Sequence, residues 1–516
     1  MKQIKHMILL CLFCLTGMAA QAQTGPADNE IWYTAEAKLA EITGTGTTTG
    51  LHYEVFTDAD GKTLTMTSHT WEETTGKGVI TFDGGIATVG GNAFRSCSAL
   101  SSITIPASVT SIGKQAFYGC TKLETVTFAE GSKLETIGES AFYGCKVLSS
   151  ITIPASVTSI GKNAFLSCIA LESINIPASV TSFGQAPFDG CTGLEAISVD
   201  AGNPVYSSPD GCNAIIETAK NTLIQGCKNT VIPESVKIIG NEAFRNMATL
   251  ESIDIPASVT SISGYAFQFC EKLKSVTIPA SSVLESLGSN AFDCCTALES
   301  INIPASVTSI GDYTFDYCKN LKSVIVNWTE AEKIVPIPSK VFLEVPKGWT
   351  LLVPAGTEDL YAANASWSGF KDYMKPYITA NQDPNNKKDY YATFYSSSKA
   401  YKLSTEDVTA YTGAVDGSVL KLKPIADGII PADEGVVLKL TSTDDTEAKV
   451  NFLVEGSTEA GTKDTENVLT GTDTAIDSAA EGTKAFSLGE SGVGFYLWTG
   501  SPIGAHKAYI PAATQE

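Results

Sequence analysis

One unit of sequence recurs nine times through the middle of this chain, and no other feature restricts its fold so tightly. ITIPASVTSIGKQAF, ending at Phe117, is nearly restated as INIPASVTSIGDYTF, ending at Phe315. Matching units end at Phe94, Phe142, Phe165, Phe188, Phe244, Phe267 and Phe292, with a period of 23 residues stretched to 25 where inserts occur. Within a unit, Ile174-Asn175-Ile176 alternates in and out as a short strand does. Pro177 ends that strand, because it has no N–H to give to a ladder. Positions such as Ile160 and Val180 turn inward again, and Gly161 is expected to supply a tight turn. Ala164-Phe165 then enters a short turn or helical piece that closes the coil. A single unit cannot bury its own apolar face, but stacked units share one continuous core with strands in register. At ~4.8 Å per strand, about ten coils would extend roughly 50 Å.

The L-x-S-I-x-I-P-A-S-V-T-S-I-G-x-x-A-F-x-x-C units resemble the leucine-rich repeats of the BspA and Treponema pallidum type, over residues 79 to about 345. The resemblance implies a curved solenoid with a parallel sheet on its concave side and short helical or 3-10 turns. It also implies an exported or surface protein of the Bacteroidetes kind, with adhesion among the family's roles. The stretch TLLVPAGTEDLYAANASWSGFKDY looks like that family's closing segment, with Leu360, Tyr361, Trp367 and Phe370 available to cover the open end. Trp32, Tyr33, Tyr53, Phe56 and Trp71 supply aromatic bulk for a cap at the other end.

The frame lapses once, between Ser198 and Val231, where Ala214-Ile215-Ile216 and Leu223-Ile224 read as two strands around Ala219-Lys220, a hairpin projecting from the solenoid. After the repeats, NQDPNNKK reads as a polar linker, and short β-like runs separated by Gly, Asp and Pro suggest a small β-sandwich. The expected organisation is therefore a signal peptide at 1–22, an N-terminal cap at 23–78 and a solenoid at 79–349 with its hairpin insert at 200–230. A C-terminal cap at 350–379, a linker at 380–388 and a β-sandwich-like domain at 389–516 follow. The leader rests on Lys2 and Lys5, the apolar run from Met7 and the Ala20-Gln21-Ala22 cleavage site. No later apolar run reaches the ~20 residues a transmembrane segment needs.

Eight cysteines sit three residues after the repeat Phe: Cys97, Cys120, Cys145, Cys168, Cys191, Cys270, Cys295 and Cys318, with Met247 in the remaining unit. A slot that accepts Cys or Met wants a soft buried side chain, so these are read as a thiol ladder. Stacked equivalents point the same way and do not face one another as a disulfide requires. Cys212 and Cys227 lie outside the ladder. They fall opposite each other if the hairpin pairs Thr218 with Asn221, which makes a disulfide possible in an exported protein. Cys294 is left over and is expected to be half-exposed.

Chemistry is hard to find. The sequence has no G-x-S-x-G, phosphate loop or H-E-x-x-H. Of its four His, one is in the leader, and His52, His69 and His506 are far apart. Asp58-Ala-Asp60-Gly61 resembles the start of a calcium loop without the rest of it. No catalytic, metal-binding or cofactor-binding residue is therefore assigned. With 35 Lys and Arg against 56 Asp and Glu, the net charge of −21 argues against nucleic-acid binding.

The repeat does define a surface. Thr104, Thr127, Thr152, Asn175, Ser198, Asp254, Thr277 and Asn302 lie between the strand Ile pairs and should face outward. Glu124, Glu172, Glu195, Glu251 and Glu299 add an acidic edge, while Tyr118, Tyr143, Tyr265, Tyr313 and Tyr317 gather at the coil-closing turns. Such a face is either a solvated surface or a long hydrogen-bonding platform for an extended partner. The leading expectation is an exported, non-enzymatic binding or adhesion protein whose partner is a host matrix or bacterial surface protein. The rivals are a glycan-binding accessory, using Tyr395, Tyr401, Tyr496 and Trp498, and a structural surface component. Asp473-Thr474-Ala475 and Asp477-Ser478-Ala479 look like short O-glycosylation signals of Bacteroidetes.

Overall fold

Each repeat closes one coil, and up to three backbone columns tie neighbouring coils together. In this computed structural model the described residues are 25–42, 50–52, 55–382, 389–396, 399–403, 407–416, 419–441 and 449–457, with short stretches between 460 and 510. The expected signal peptide and the two glycosylation signals lie outside them. The chain divides into two units, 1–193 with 200–204, and 194–199 with 205–516.

In the first unit, strand Leu100–Ile105 pairs in parallel with Thr125–Phe128, matching Ile103 to Val126 and Thr104 to Thr127. A second column pairs Ser111-Ile112, Thr136-Ile137 and Ser159-Ile160, also in parallel. The third column is the turn itself: Phe94 N–H donates to Ala116 O at 2.7 Å, and Phe117 N–H to Ala141 O at 2.7 Å. Inside, the Phe rings form a stack, with Phe94, Phe117, Phe142, Phe165 and Phe188 at centroid spacings of 5.1 to 5.4 Å. Strands Glu30–Ala35, Lys77–Phe82 and Met66–Glu72 continue the first sheet antiparallel, so the N-terminal cap is a sheet extension. Tyr33 and Phe56 are buried there, while Trp32 and Trp71 are half-buried. Tyr53 lies outside the described residues.

The second unit repeats the arrangement. Its Phe stack runs Phe244, Phe267, Phe292, Phe315 and then Phe342, one coil beyond the nine read from sequence. That coil went unread because its IPSKVF has lost the Ser-Ile-Gly signature. The hairpin forms from Ala214–Glu217 and Thr222–Gly226, as expected, but it does not project. Its second strand pairs in parallel with Ile238-Ile239 and so serves as a strand of the stack. The stack ends under buried Trp328, Tyr361 and Trp367, with the indole of Trp367 donating to Val335 O at 2.8 Å. Phe370 packs edge-on against Phe342, and Leu360 is half-buried.

Strand Met374–Gln382 carries the sheet onward. On one edge its first residues pair in parallel with Thr350–Pro354 and its last two antiparallel with Asp389–Phe394, while the other edge pairs antiparallel with Lys449–Ser457. The boundary expected at residue 380 therefore falls inside a strand shared by the last coil and an antiparallel β domain. That domain has its own core of Ile378, Tyr390, Phe394, Tyr401, Val436 and Leu438, among others.

Two local expectations change. Gly161 does not have a positive φ. An added Cβ there would lie 2.6 Å from Glu139 N and from Gly138 C, so glycine lets neighbouring coils approach backbone to backbone. The left-handed conformation falls instead on the residues two before and two after the Phe of the nine repeats, such as Asn163 (φ 54°) and Ser167 (φ 60°). Positive φ there prevents helical continuation, so the coil closes through hydrogen-bonded turns and not a helical piece.

Candidate functional site

Each unit carries a row of outward strand positions. In the first unit, Thr127, Thr152 and Asn175 are exposed, and Asn175 Nδ2 donates to Asp200 Oδ1 at 3.0 Å. Thr104 is half-buried because Trp32 of the added antiparallel strand pairs opposite it. This sets an indole in the threonine row, its N–H held by Glu30 Oε2 at 2.9 Å. Residues 150–153 adopt no regular strand, and a groove of about 640 Å³ lies there, lined by Thr127, Thr152, Phe128 and Pro154 among others.

In the second unit Ser198, Asp254 and Thr277 are exposed, and Asp254 pairs beside Thr277. Asn302 is half-buried and accepts from Asn327 Nδ2 at 2.6 Å. A groove of about 680 Å³ brings Asp254 and Thr277 together with Lys228, Glu234 and Val231. Val231, 72% exposed, stands at the outward position of its own coil. Ile325 and Leu352 continue that column beyond Asn302. Sequence reading missed all three, although aligning Val231-Ile232-Pro233 with the I-x-I-P element would have found the first. The outward face here is thus mixed, not uniformly polar. Its acidic edge is largely neutralised, since Lys228, Lys274 and Lys322 pair with Glu195, Glu251 and Glu299 at 2.5, 3.3 and 2.7 Å. The Lys322 ammonium holds the Glu299 carboxyl below its usual range.

The cysteine ladder is buried and unbridged, and the thiols after Cys97 each reach the coil before their own. Cys120 Sγ donates to Phe94 O at 2.9 Å, Cys168 to Phe142 O at 3.1 Å and Cys270 to Phe244 O at 3.1 Å. Burial pushes the thiols of Cys97 and Cys168 up to about 12 and those of Cys120, Cys145, Cys191 and Cys295 well above 9.0. Such thiols are poor nucleophiles and poor ligands. Met247 fills the same slot, fully buried, and Cys294 is half-buried.

Cys212 and Cys227 are also buried and free in the structure, against the bridge raised from sequence. The hairpin tip pairs Glu217 with Thr222, as the expected register requires, but a bulge between Ile215 and Ile216 shifts the pairing to Ala214 with Gly226. The next opposed pair is then Asn213 with Cys227, and Cys227 Sγ donates to Asn213 O at 3.4 Å. Gly226 lies flat beneath the Phe244 ring, which fixes this register.

His52 is buried, and His69 Nε2 lies 2.7 Å from Tyr33 OH. His506 lies outside the described residues. Asp58 Oδ1 accepts the backbone N–H groups of Asp60 and Lys62, a local turn. Tyr395 and Tyr401 do not offer open rings for sugar stacking. Both are buried, with hydroxyls donating to Asp433 Oδ1 and Glu358 Oε1, each at 2.9 Å. The Tyr496 side chain and Trp498 are outside what is described. Among the described residues no helix is long and apolar enough to cross a membrane.

A family model described as BspA type leucine rich repeat region matches residues 37–203 and 222–344. No curated protein matches the chain. Among solved structures it is similar to the pneumococcal vaccine antigen PcpA, at 24% identity over 54% of this chain and 77% of that one, with a TM-score of 0.42. It is also similar to a leucine-rich cell-surface protein of Faecalibacterium prausnitzii, at 25% identity over 67% and 97% of the two chains (TM-score 0.38). The leucine-rich repeat protein of T. pallidum is 24% identical over 47% and 74%, with a TM-score of 0.21.

Proposed function

Because this chain belongs to the family of BspA-type leucine-rich repeat proteins, we propose that it is an exported, non-enzymatic binding protein whose outward strand faces meet a protein on a host or neighbouring cell. The observation that carries this reading is the pair of grooves on those faces. One gathers Thr127 and Thr152, the other Asp254, Thr277 and exposed Val231. Small hydroxyl side chains with an apolar or charged neighbour suit the main chain of an extended protein segment, which needs hydrogen-bond partners along its length. Interfaces gain energy from a few desolvated anchors, and Val231 and Trp32 are the candidates. Thr104, Asn175, Ser198 and Asn302 flank them.

The test is capture by the full chain from host matrix preparations and neighbouring bacteria. It is compared with one variant carrying Thr127→Arg and Thr152→Arg and another carrying Val231→Arg and Asp254→Arg. Loss of the same captured protein in either variant supports the reading; unchanged capture in both removes the strand faces from it. A glycan reading has one observation in its favour, the half-buried Trp32 ring beside Thr104. It predicts glycan-array binding that Trp32→Ala abolishes.

A further inference from the structure

The coils from Phe94 to Phe315 each hold two residues in the left-handed region, but the two units fill these positions differently. The first unit uses Asn92, Ser96, Gln115, Gly119, Ser140, Gly144 and similar small or flexible residues. The second uses aromatics on alternate coils: Tyr265 (φ 56°) and Phe269 (φ 60°) on one, Tyr313 (φ 59°) and Tyr317 (φ 54°) on the next but one. A bulky side chain at positive φ strains the backbone, and strain of this kind collects at functional sites. The first unit closes equivalent turns without aromatics there, so the rings are not required for closure.

We propose that these four rings form a ledge that binds a proline-rich segment in the polyproline II conformation. Tyr265 is 38% and Tyr317 41% exposed. The intervening coil carries the shorter Asn290 and Cys294 at the same positions. Two coils are ~10 Å apart at ordinary strand spacing. One turn of polyproline II, three residues at ~3.1 Å each, is about the same length. Prolines three apart would therefore meet successive aromatic pairs.

The chemistry suits this occupant. Lys340 Nζ lies 5.1 Å from the Tyr313 ring centroid and donates to its hydroxyl at 2.8 Å, and Lys319 Nζ lies 5.7 Å from the Tyr317 centroid. The Lys340 ammonium thus stands at the hydroxyl edge of Tyr313, a donor beside the ring. A polyproline II chain presents unpaired carbonyls, all acceptors. The ledge answers with donors, the tyrosine hydroxyls and the two lysines, next to apolar ring edges where a pyrrolidine packs. This surface is separate from the strand faces, and its fate does not depend on theirs.

The probe is fluorescently labelled decaproline, titrated against the full chain by anisotropy. The key variant is Tyr265→Asn with Tyr313→Asn, since Asn tolerates positive φ. Saturable binding that weakens at least ~tenfold in this variant, as loss of a hot-spot ring would, supports the proposal. Tyr265→Phe with Tyr313→Phe, which keeps the rings and loses two hydroxyl donors, should weaken it less than the Asn variant does, and Thr127→Arg should leave it unchanged. The Asn variant should melt no lower than the parent, since strain is relieved. The proposal is overturned if decaproline does not bind, or if the Asn variant binds equally well. It is overturned too if that variant melts well below the parent, which would make the rings structural. Binding of cellohexaose, with none of decaproline, would reassign the ledge to sugar.

Discussion

A single methyl group separates two kinds of glycine in this chain. At Gly161 it would press on the backbone of the preceding coil, 2.6 Å from Glu139 N, with no flexible side chain to yield. At Gly131 (φ 73°) it would meet nothing within 4 Å. Gly161→Ala should therefore lower stability by about 2–3 kcal/mol through overpacking, and Gly131→Ala by only ~1 kcal/mol of left-handed strain. Urea midpoints of the two variants check the order. The ladder thiols give a second residue-scale prediction. Burial holds the Cys97 and Cys168 thiols at about 12 against an ordinary 9.0. An unfolded chain loses these protons from about pH 9, while the folded chain keeps them and so binds more protons. Their contribution is complete below that pH and is lost as pH rises through it. The melting temperature should fall steeply between about pH 9 and 12, and less steeply with Cys97→Ala and Cys168→Ala together. That these cysteines are buried was legible from the slot they share with Met247. That the sulfurs after Cys97 reach a carbonyl of the preceding coil was not, because it depends on how far neighbouring turns are offset.

At the scale of elements, the repeat spacing carried most of the information. Ile103, Val126, Ile174 and Ile253 all face inward because strand alternation is fixed by sequence, and the Phe series stacks because identical coils superpose identical rings. Aromatic burial on this scale is worth several kcal/mol per ring, since Phe→Ala in a core costs about 3–5 kcal/mol. Where the pattern breaks, legibility ends. The hairpin's strands and tip were readable, but its bulge was not, because Phe244, outside the hairpin, holds Gly226 flat. The same bulge makes a prediction. Under non-reducing conditions, intact-mass measurement after alkylation of the unfolded chain should find Cys212 and Cys227 both alkylated. A mass two hydrogens lighter, with both sites unlabelled, would mean that the hairpin adopts the unbulged register.

For the molecule as a whole, the informative element is Met374–Gln382. It was divided in sequence between a cap and a linker because NQDPNNKK is polar and turn-like. The structure uses its first residues to extend a parallel stack and its last to begin an antiparallel domain. Polarity at a strand's end does not reveal whether the strand is shared. A chain ended after Tyr373 should therefore lose protection in Thr350–Pro354, which hydrogen exchange would report as faster exchange there than in the full chain. Protection retained at the full-chain level would make the two regions independent.

The sulfur ladder has a consequence for how such a chain must be made. Finished, it shields its thiols from oxidants; half-zipped, it offers a row of neighbours ready to be welded in wrong pairs. If the leader directs export, coil addition must outrun oxidation. Refolding in glutathione disulfide should then yield scrambled, cross-linked species, and in dithiothreitol a clean product. Equal yields would mean that the turns dock before any sulfur can stray.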